Sequence, residues 1–428
     1  MSAAAAAAAA PLLAAPLAGI ERLNGRDRPP VCIALSGGGD SLALLHLASA
    51  WALDAGRRLV ALTVDHGLQP ASAGWSRFAA ERAGRLGVAH QTLHWQGDKP
   101  SSGLPAAARA ARHALLAAAA RSVGARVILM AHTADDLMEA ELMRRMGAGP
   151  PSPRLWSPSP AWPEGRGVFL LRPLLGHRRA GLRALLTGLG ETWIDDPAND
   201  DPRYARSSAR RRLAGCGTAP PPPAQLTPPD GWDAVREGRG GELIAPRDVL
   251  AAAAGRRLIG ALALCAAGTS RPPGRMSLLQ MGERLRGGDF IATLAGARIE
   301  ARGGEVLFCR EAGERRRGGL LAADLPPGAS VFDGRFEMTA RRAGYRVTAL
   351  RGLAERLPAA ERRRLKQVPP AARAALPVIV SPSGDVSCPS LVPSAPAFGA
   401  AVSAKPLGLA RLHAAVGVTC DEASAAGA

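Results

Sequence analysis

Two hydrophobic rhythms alternate along the first half of the chain. Val31-Cys32-Ile33-Ala34-Leu35, Leu59-Val60-Ala61-Leu62-Thr63-Val64 and Arg126-Val127-Ile128-Leu129-Met130 are apolar at almost every position. They are too short for helices and rich in β-branched residues, the pattern of fully buried strands. Weaker strand patterns lie around His90–Leu93 and at Val168–Leu171. Between them run helical patterns from Leu42 to about Ala55, and over roughly Ala71–Leu86, Pro105–Arg121 and Ala134–Met146. From about residue 30 to residue 190 the alternation predicts an α/β domain: a parallel sheet with helices on both faces. Such sheets bind ligands beyond the carboxyl ends of their strands.

The rhythm then changes. Gly149–Pro163, rich in Pro, Ser and Trp, predicts an ordered or lid-like loop, and Ala219-Pro220-Pro221-Pro222-Pro223 marks a linker. Beyond it, Pro246–Ala267 and Met276–Leu285 predict helices. Short strands broken by Gly and Arg follow between Phe290 and Leu350, so this half reads as an α+β region. The expected division is a low-complexity extension over 1–20, a catalytic domain over 21–215, a Pro-rich linker over 216–245 and a C-terminal region over 246–428. With 428 residues the chain suits two or three domains.

Composition adds a partner class and a compartment. The net charge is +18, carried almost wholly by arginine, since lysine appears only at 99, 366 and 405. That excess favours an acidic partner such as nucleic acid, although the abundance of Ala, Gly, Pro and Arg is also what a GC-rich coding sequence gives. Six cysteines are scattered without a Cys-x-x-Cys pair, which fits a reducing cytoplasm and disfavours a zinc ribbon or iron–sulfur cluster. The alanine tract Ala3–Ala10 lacks the basic start of a secretion signal, and no later run is long and apolar enough for a bilayer.

The candidate chemistry lies at the strand ends. Ser36-Gly37-Gly38-Gly39-Asp40-Ser41 joins the first strand to its helix. Its glycines allow a sharp turn and close approach of a ligand, and the serines and free N–H groups of a helix start suit a phosphate. It lacks the Gly-Lys-[Ser/Thr] ending of a Walker loop, which disfavours a kinase or GTPase. A plain turn capped by Ser41 is the bland alternative, and Asp40 alone would serve as a cap. Asp65-His66-Gly67 ends the second strand, either as a nucleotide contact or as a simple turn. Arg109 and Arg112 lie three apart on one helix face, where a cation would stabilise charge developing on phosphates. His132 ends the next strand, and Asp135 and Asp136 open its helix. Asp136 and Glu139 share a face suited to Mg²⁺ or to an amine, while Asp135 is equally suited to capping. No second His or Cys stands at zinc spacing. Downstream, Trp193-Ile194-Asp195-Asp196-Pro197-Ala198-Asn199-Asp200-Asp201 precedes Arg203, Tyr204, Arg206 and Arg210, an arginine-rich edge that suits RNA, with a solvated helix start as the alternative.

Taken in order, Ser-Gly-Gly-x-Asp-Ser, Val-Asp-His-Gly-Leu, Ala-Arg-x-x-Arg, His-x-x-Asp-Asp-x-x-Glu, Arg-Pro-Leu-Leu and Trp-x-x-Asp-x-x-Asn-x-Asp resemble the tRNA(Ile)-lysidine synthases, over roughly residues 30–212. The resemblance implies a pyrophosphate-loop ATPase of the adenine nucleotide alpha-hydrolase-like, Rossmann-like fold. It implies ATP, with Mg²⁺ brought by the nucleotide rather than held at a protein-only metal site. The partners implied are free L-lysine and a tRNA(Ile) with a CAU anticodon, lysine being joined to C2 of the wobble cytidine through an adenylated intermediate. It places Asp40 and Arg112 in catalysis, and Ser36, Gly37, Gly38, Gly39, Asp40, Ser41, Asp65 and His66 on ATP. His132, Asp136 and Glu139 fall in the nucleotide and lysine pocket, and Arg203, Arg206 and Arg210 on tRNA. Departures from the family pattern are Leu137 for Gln, Ala140 for Thr, His113 for Tyr and Ser207 for Asn. The alternatives are another pyrophosphate-loop tRNA ligase or thiolase, and a silent tRNA binder.

Overall fold

The apolar runs of the first half become the centre of a six-stranded sheet. In the computed structural model, β1 (Val31–Ala34), β2 (Leu59–Asp65), β3 (Ala89–His94), β4 (Val127–Leu129), β5 (Trp156–Pro158) and β6 (Phe169–Leu171) stand in the order β3-β2-β1-β4-β6-β5. All pair in parallel except β5, which runs antiparallel to β6 at the edge. β1 is central, with Val31 beside Leu59 on one side and Val127 on the other. Val31, Cys32, Ile33, Ile128 and Leu129 are fully buried, as parallel strands covered on both faces must be. The structure describes residues 17, 20, 28–147, 152–196, 205–213, 220–221, 228–270, 272–314, 319–392, 398 and 401–416.

The connecting helices are α1 (Gly39–Asp54), α2 (Ser72–Arg85), α3 (Leu104–Ser122), α4 (Ala134–Arg145), α5 (Arg179–Gly188) and α6 (Ala205–Leu213). α1 is apolar almost all round and buries Leu42, Leu44, Leu45 and Leu47, so it is an interior helix rather than an amphipathic one. The chain proceeds outward from β1 to β2 and β3, then returns to place β4 on the other side of β1. That reversal opens a crevice at the carboxyl ends of β1 and β4.

Two compact units divide the chain at Leu226–Thr227. The second begins with β7 (Arg236–Glu237) and β8 (Leu243–Pro246), which join β9 (Phe290–Leu294), β10 (Ala297–Arg302) and β11 (Glu305–Arg310) in a sheet of order β7-β8-β11-β10-β9. β7 and all but the last residue of β8 fall inside the stretch expected to be linker. Leu243 and Ala245 alternate into the core there, a short period-two signal next to the Gly-rich turn at 238–241. α7 (Arg247–Ala251) and α8 (Arg256–Ala267) replace the single helix expected over 246–267. The break comes at Ala252, whose ψ is 154°, and at Gly255, where a Cβ would lie 2.4 Å from the Leu250 carbonyl oxygen. α9 (Arg275–Leu285) follows, and α8 buries Leu258, Ile259 and Leu262 against the sheet's Ile299, Val306 and Phe308. A second core gathers Phe336, Met338, Tyr345, Val347 and Val378 from two smaller antiparallel sheets.

The stretch expected as a lid-like loop contains β5, where Trp156 pairs with Leu171 and Pro158 with Phe169. An edge position suits that proline, because one side of the strand needs no N–H donor. Residues 149–151 of that stretch lie outside the described residues. Among the described residues no helix is long and apolar enough to cross a membrane.

Candidate active site

The loop between β1 and α1 is drawn tight by its own serines. Ser41 Oγ donates to the Gly38 carbonyl at 2.8 Å, accepts the Ser36 N–H at 3.2 Å and lies 3.1 Å from Ser36 Oγ. Ser41 therefore shapes the loop, leaving the first-turn N–H groups of α1 to face a ligand. The glycines also admit a neighbouring segment. Gly37 has φ +82°, and the Ile194 N–H donates to its carbonyl at 3.0 Å. A Cβ on Gly37 would fall 2.7 Å from Ile194 Cδ1, and one on Gly39 would touch the Trp193 ring at 3.4 Å. Residues 191–196 thus lie as a strap on the loop. Glu191 anchors the strap as the ion-pair partner of Arg82, 3.0 Å away, with His46 Nε2 at 3.4 Å from its other oxygen. Changing Gly37 to Ala combines a left-handed backbone costing about 1–2 kcal/mol with that clash. ATP affinity measured by calorimetry should fall at least about tenfold, and unchanged affinity would refute this account of the loop.

The acidic helix α4 divides its carboxylates between structure and cleft. Asp136 Oδ2 accepts the Thr133 N–H at 2.6 Å, and Thr133 Oγ1 lies 3.1 Å away, closing a capping box. Asp135 caps a different helix: it accepts the Arg179 N–H at 2.7 Å and Arg178 Nε at 3.2 Å, fixing the start of α5. Arg179 is thereby set between three carboxylates. Its Nε donates to Asp40 Oδ2 at 2.9 Å, while its terminal nitrogens lie 3.4 Å from Glu139 Oε1 and 3.5 Å from Asp136 Oδ1. Glu139, only 1% exposed, also takes Arg206 Nε at 2.8 Å and Arg210 Nε at 3.0 Å. Arg206 Nη2 closes on Asp136 Oδ1 as well. Arg206 and Arg210 therefore turn into the cleft as well as toward solvent, their side chains 45% and 31% exposed. Arg203, Tyr204 and Asn199 lie outside the described residues.

The other side of the cleft carries cations without acids. Among the described residues no carboxylate pairs with Arg109 or Arg112, and Arg112 Nε is buried without a partner. Burial, and then the charge of Arg109, pushes the Arg112 pKa down to about 10, so it is still a cation at neutral pH. Burial, followed by Arg172, Arg206 and Arg112, holds His132 well below its ordinary pKa. His113 is pushed down to about 3 by burial and then by Arg112, with both ring nitrogens unpartnered. His66, lowered by burial and then Arg112, lines the cleft with an unpartnered Nδ1. Asp65 instead closes its turn, accepting the Gly67 N–H at 2.9 Å.

The cleft holds about 540 Å³ and is lined by the ends of β1, β2 and β4, by Asp40 and Arg112, and by Arg179, Arg206 and Arg210. That volume suits a nucleotide-sized molecule. Asp40 Oδ1 is buried without a partner, and burial raises the Asp40 pKa more than Arg179 lowers it. A lone carboxylate oxygen beside a phosphate cradle fits Mg²⁺ arriving on a nucleotide. No group of three metal-ligating side chains occurs among the described residues.

Comparison with known proteins agrees with this geometry. A family described as the PP-loop domain matches residues 17–215. The tRNA(Ile)-lysidine synthase of Caulobacter vibrioides is 51% identical over 366 residues, covering 85% of this chain and 87% of its own. This chain belongs to the tRNA(Ile)-lysidine synthase family. A second member, from Hyphomonas neptunium, is 40% identical over 71% of this chain and 84% of its own length. Among solved structures, the U34-tRNA thiolase NcsA from Methanococcus maripaludis overlaps 48% of this chain and 73% of its own at 16% identity, with a TM-score of 0.37. Within the matched residues, Ser-Gly-Gly-x-Asp-Ser is the turn at Ser36–Ser41, and His-x-x-Asp-Asp-x-x-Glu runs from the loop after β4 into the first turns of α4. Arg179 is a cleft residue that sequence reasoning passed over, while Trp193 and Ile194, read there as part of an RNA-facing segment, lie against the glycines of the phosphate loop. Arg179 follows Arg-Pro-Leu-Leu in a run of basic residues, and nothing local separates it from Arg178.

Proposed function

We propose that this chain joins lysine to the wobble cytidine of a CAU-anticodon tRNA(Ile), using ATP to activate the base. The supporting observation is a single cleft that faces an uncompensated Arg112 toward a phosphate loop carrying Asp40, with Asp136 in its wall and Glu139 buried behind it on the same arginines. The C2 oxygen of cytidine forms a bond to the α-phosphorus as the α–β phosphoanhydride breaks and pyrophosphate leaves. The ε-amine of lysine then attacks C2, loses a proton, and displaces AMP with the C2 oxygen. An amide-like oxygen leaves poorly until it carries that phosphate, so adenylation has to come first.

In this reading the N–H groups of α1 bind the β- and γ-phosphates, and Arg112 stabilises charge developing at the α-phosphorus. Mg²⁺, with Asp40 Oδ1 as its protein ligand, would neutralise the departing pyrophosphate. Neutral His132 and His66 suit hydrogen bonding to nucleotide groups, since a further positive charge is disfavoured there. Asp136 and Glu139 receive the amine. Arg206 and Arg210 face the RNA with their exposed parts, and Arg203 of the same basic run joins them on the RNA. A thiolase needs reactive thiolates, and the described Cys32, Cys265, Cys309 and Cys388 are all buried with pKa pushed up to about 12. Such protected thiols also suit the cytoplasm.

The test is incubation with ATP, Mg²⁺, labelled lysine and an unmodified tRNA(Ile) transcript. Label should enter the RNA and disappear when the wobble cytidine is replaced. AMP release with another acceptor would keep the adenylation and discard lysidine, and no AMP with any acceptor would favour a silent binder.

A further inference from the structure

Among the described residues, Arg179 alone contacts Asp40 of the phosphate loop together with both Asp136 and Glu139 of α4. Resting on the functional reading above, we propose that Arg179 is a positioning residue that makes amine capture depend on nucleotide. In the arrangement seen here it ties Asp136 and Glu139 to Asp40. In the nucleotide complex it turns to the phosphates and releases the two acids to an ammonium.

The argument starts from Glu139. It is 1% exposed, and its two oxygens already take three guanidiniums. A lysine ammonium can reach it only by replacing one of them, because a fourth cation would be repelled by the rest. Arg206 and Arg210 stand one helical turn apart on α6 and hold the acids at 2.8 and 3.0 Å. Arg179 is the loosest partner of the acidic pair, at 3.4 and 3.5 Å, yet it holds Asp40 at 2.9 Å. Its contacts with the two acids are therefore the ones given up at least cost.

It also has somewhere to go. Asp40 stands in the first turn of α1, where the helix start attracts phosphate, and Arg179 lines the same cleft. ATP brings several negative charges there, and a guanidinium matches phosphate oxygens in a bidentate fashion that lysine does not. Asp135 fixes the backbone of Arg179 and leaves its side chain to choose between the two anionic partners. The expected consequence is order: lysine binds productively only after ATP. An amine pocket closed until then would also keep free lysine away from an unactivated base.

The experiment is calorimetric titration of L-lysine into the full-length protein, with and without the non-hydrolysable analogue α,β-methylene-ATP and Mg²⁺. Wild type should bind lysine about tenfold or more tightly with the analogue present, a coupling of ordinary allosteric size. Arg179→Met should bind lysine equally well in both conditions, and Arg179→Lys should recover part of the dependence. A purely structural role would lower both affinities together and leave their ratio intact. A retained tenfold ratio in Arg179→Met, or a ratio near one in wild type, overturns the proposal. If Arg179→Met does not fold, the wild-type ratio and Arg179→Lys decide. Wild type that attaches lysine to tRNA but shows a ratio near one sinks this proposal alone. Wild type that attaches none removes the functional reading and this inference with it.

Discussion

Asp40→Asn should lower tRNA-dependent AMP release about a thousandfold while leaving the protein at least as stable as wild type at pH 7. The first half follows from Asp40 Oδ1, a buried carboxylate oxygen without a hydrogen-bond partner beside the phosphate loop. Asparagine keeps the shape and removes the charge that would hold Mg²⁺. The second half follows from the raised pKa of Asp40, in which burial outweighs the attraction of Arg179. A carboxyl whose folded pKa lies above its unfolded value favours the folded state while protonated. That advantage is present below the unfolded value and is lost as pH rises through the folded one, so at neutral pH the ionised group is a net burden. Asparagine mimics the protonated form, and Arg179 retains Asp136 and Glu139. Thermal melts at pH 7 should show a Tm no lower than wild type, with the difference shrinking toward about pH 4. A Tm loss of several degrees, or normal AMP release, would show that Asp40 is held for structure.

Much of the first unit was legible because local and global signals coincide there. β1 and β4 are apolar at every buried position and β2 at all but Thr63, and the helices between them begin and end within three residues of their patterns. The phosphate loop was legible for the same reason: three glycines between a buried strand and a helix have few other uses. What escaped is non-local. Arg179 reaches Asp40 across 139 positions of sequence and Glu139 across 40, and no periodicity records such a pairing. The glycines at 37 and 39 also make room for Ile194 and Trp193, a reason visible only once the strap lies on the loop. Asp135 reads as a cap for its own helix, yet it caps α5. In the second unit the strands are short and alternate weakly, so β7 and β8 read as linker.

The arginines of α6 show a further limit of composition. Arg206 and Arg210 belong to a basic run that suits RNA, and in the fold both are paired with the buried acids of α4. Arg109 and Arg112, spaced like ordinary surface residues, have no acid at all among the described residues. Charge counting cannot separate a cation neutralised inside the protein from one left open for a ligand. Only the pairing does, and it points to α3 as the wall that meets phosphate.

Arg112 is accordingly the second residue whose loss should be large and specific. Its Nε is buried without a partner, and burial followed by Arg109 lowers its pKa to about 10. The folded protein therefore holds a half-buried cation that nothing in the cleft compensates, an arrangement unfavourable for stability unless an anion arrives. Arg112→Met keeps the aliphatic stem and removes the charge. We expect the rate of tRNA-dependent AMP release to fall about 10²–10³-fold, the usual loss when a fixed group that stabilises developing charge is removed. Tm should hold or rise in the same variant. Arg112→Lys restores a charge without the planar fork that spans two phosphate oxygens, and should recover only part of the rate. Single-turnover AMP release, measured beside thermal melts, separates these outcomes. A destabilised Arg112→Met with a rate within tenfold of wild type would mean that Arg112 supports the fold. A stable protein with little activity would mean that the uncompensated charge is kept for the phosphate.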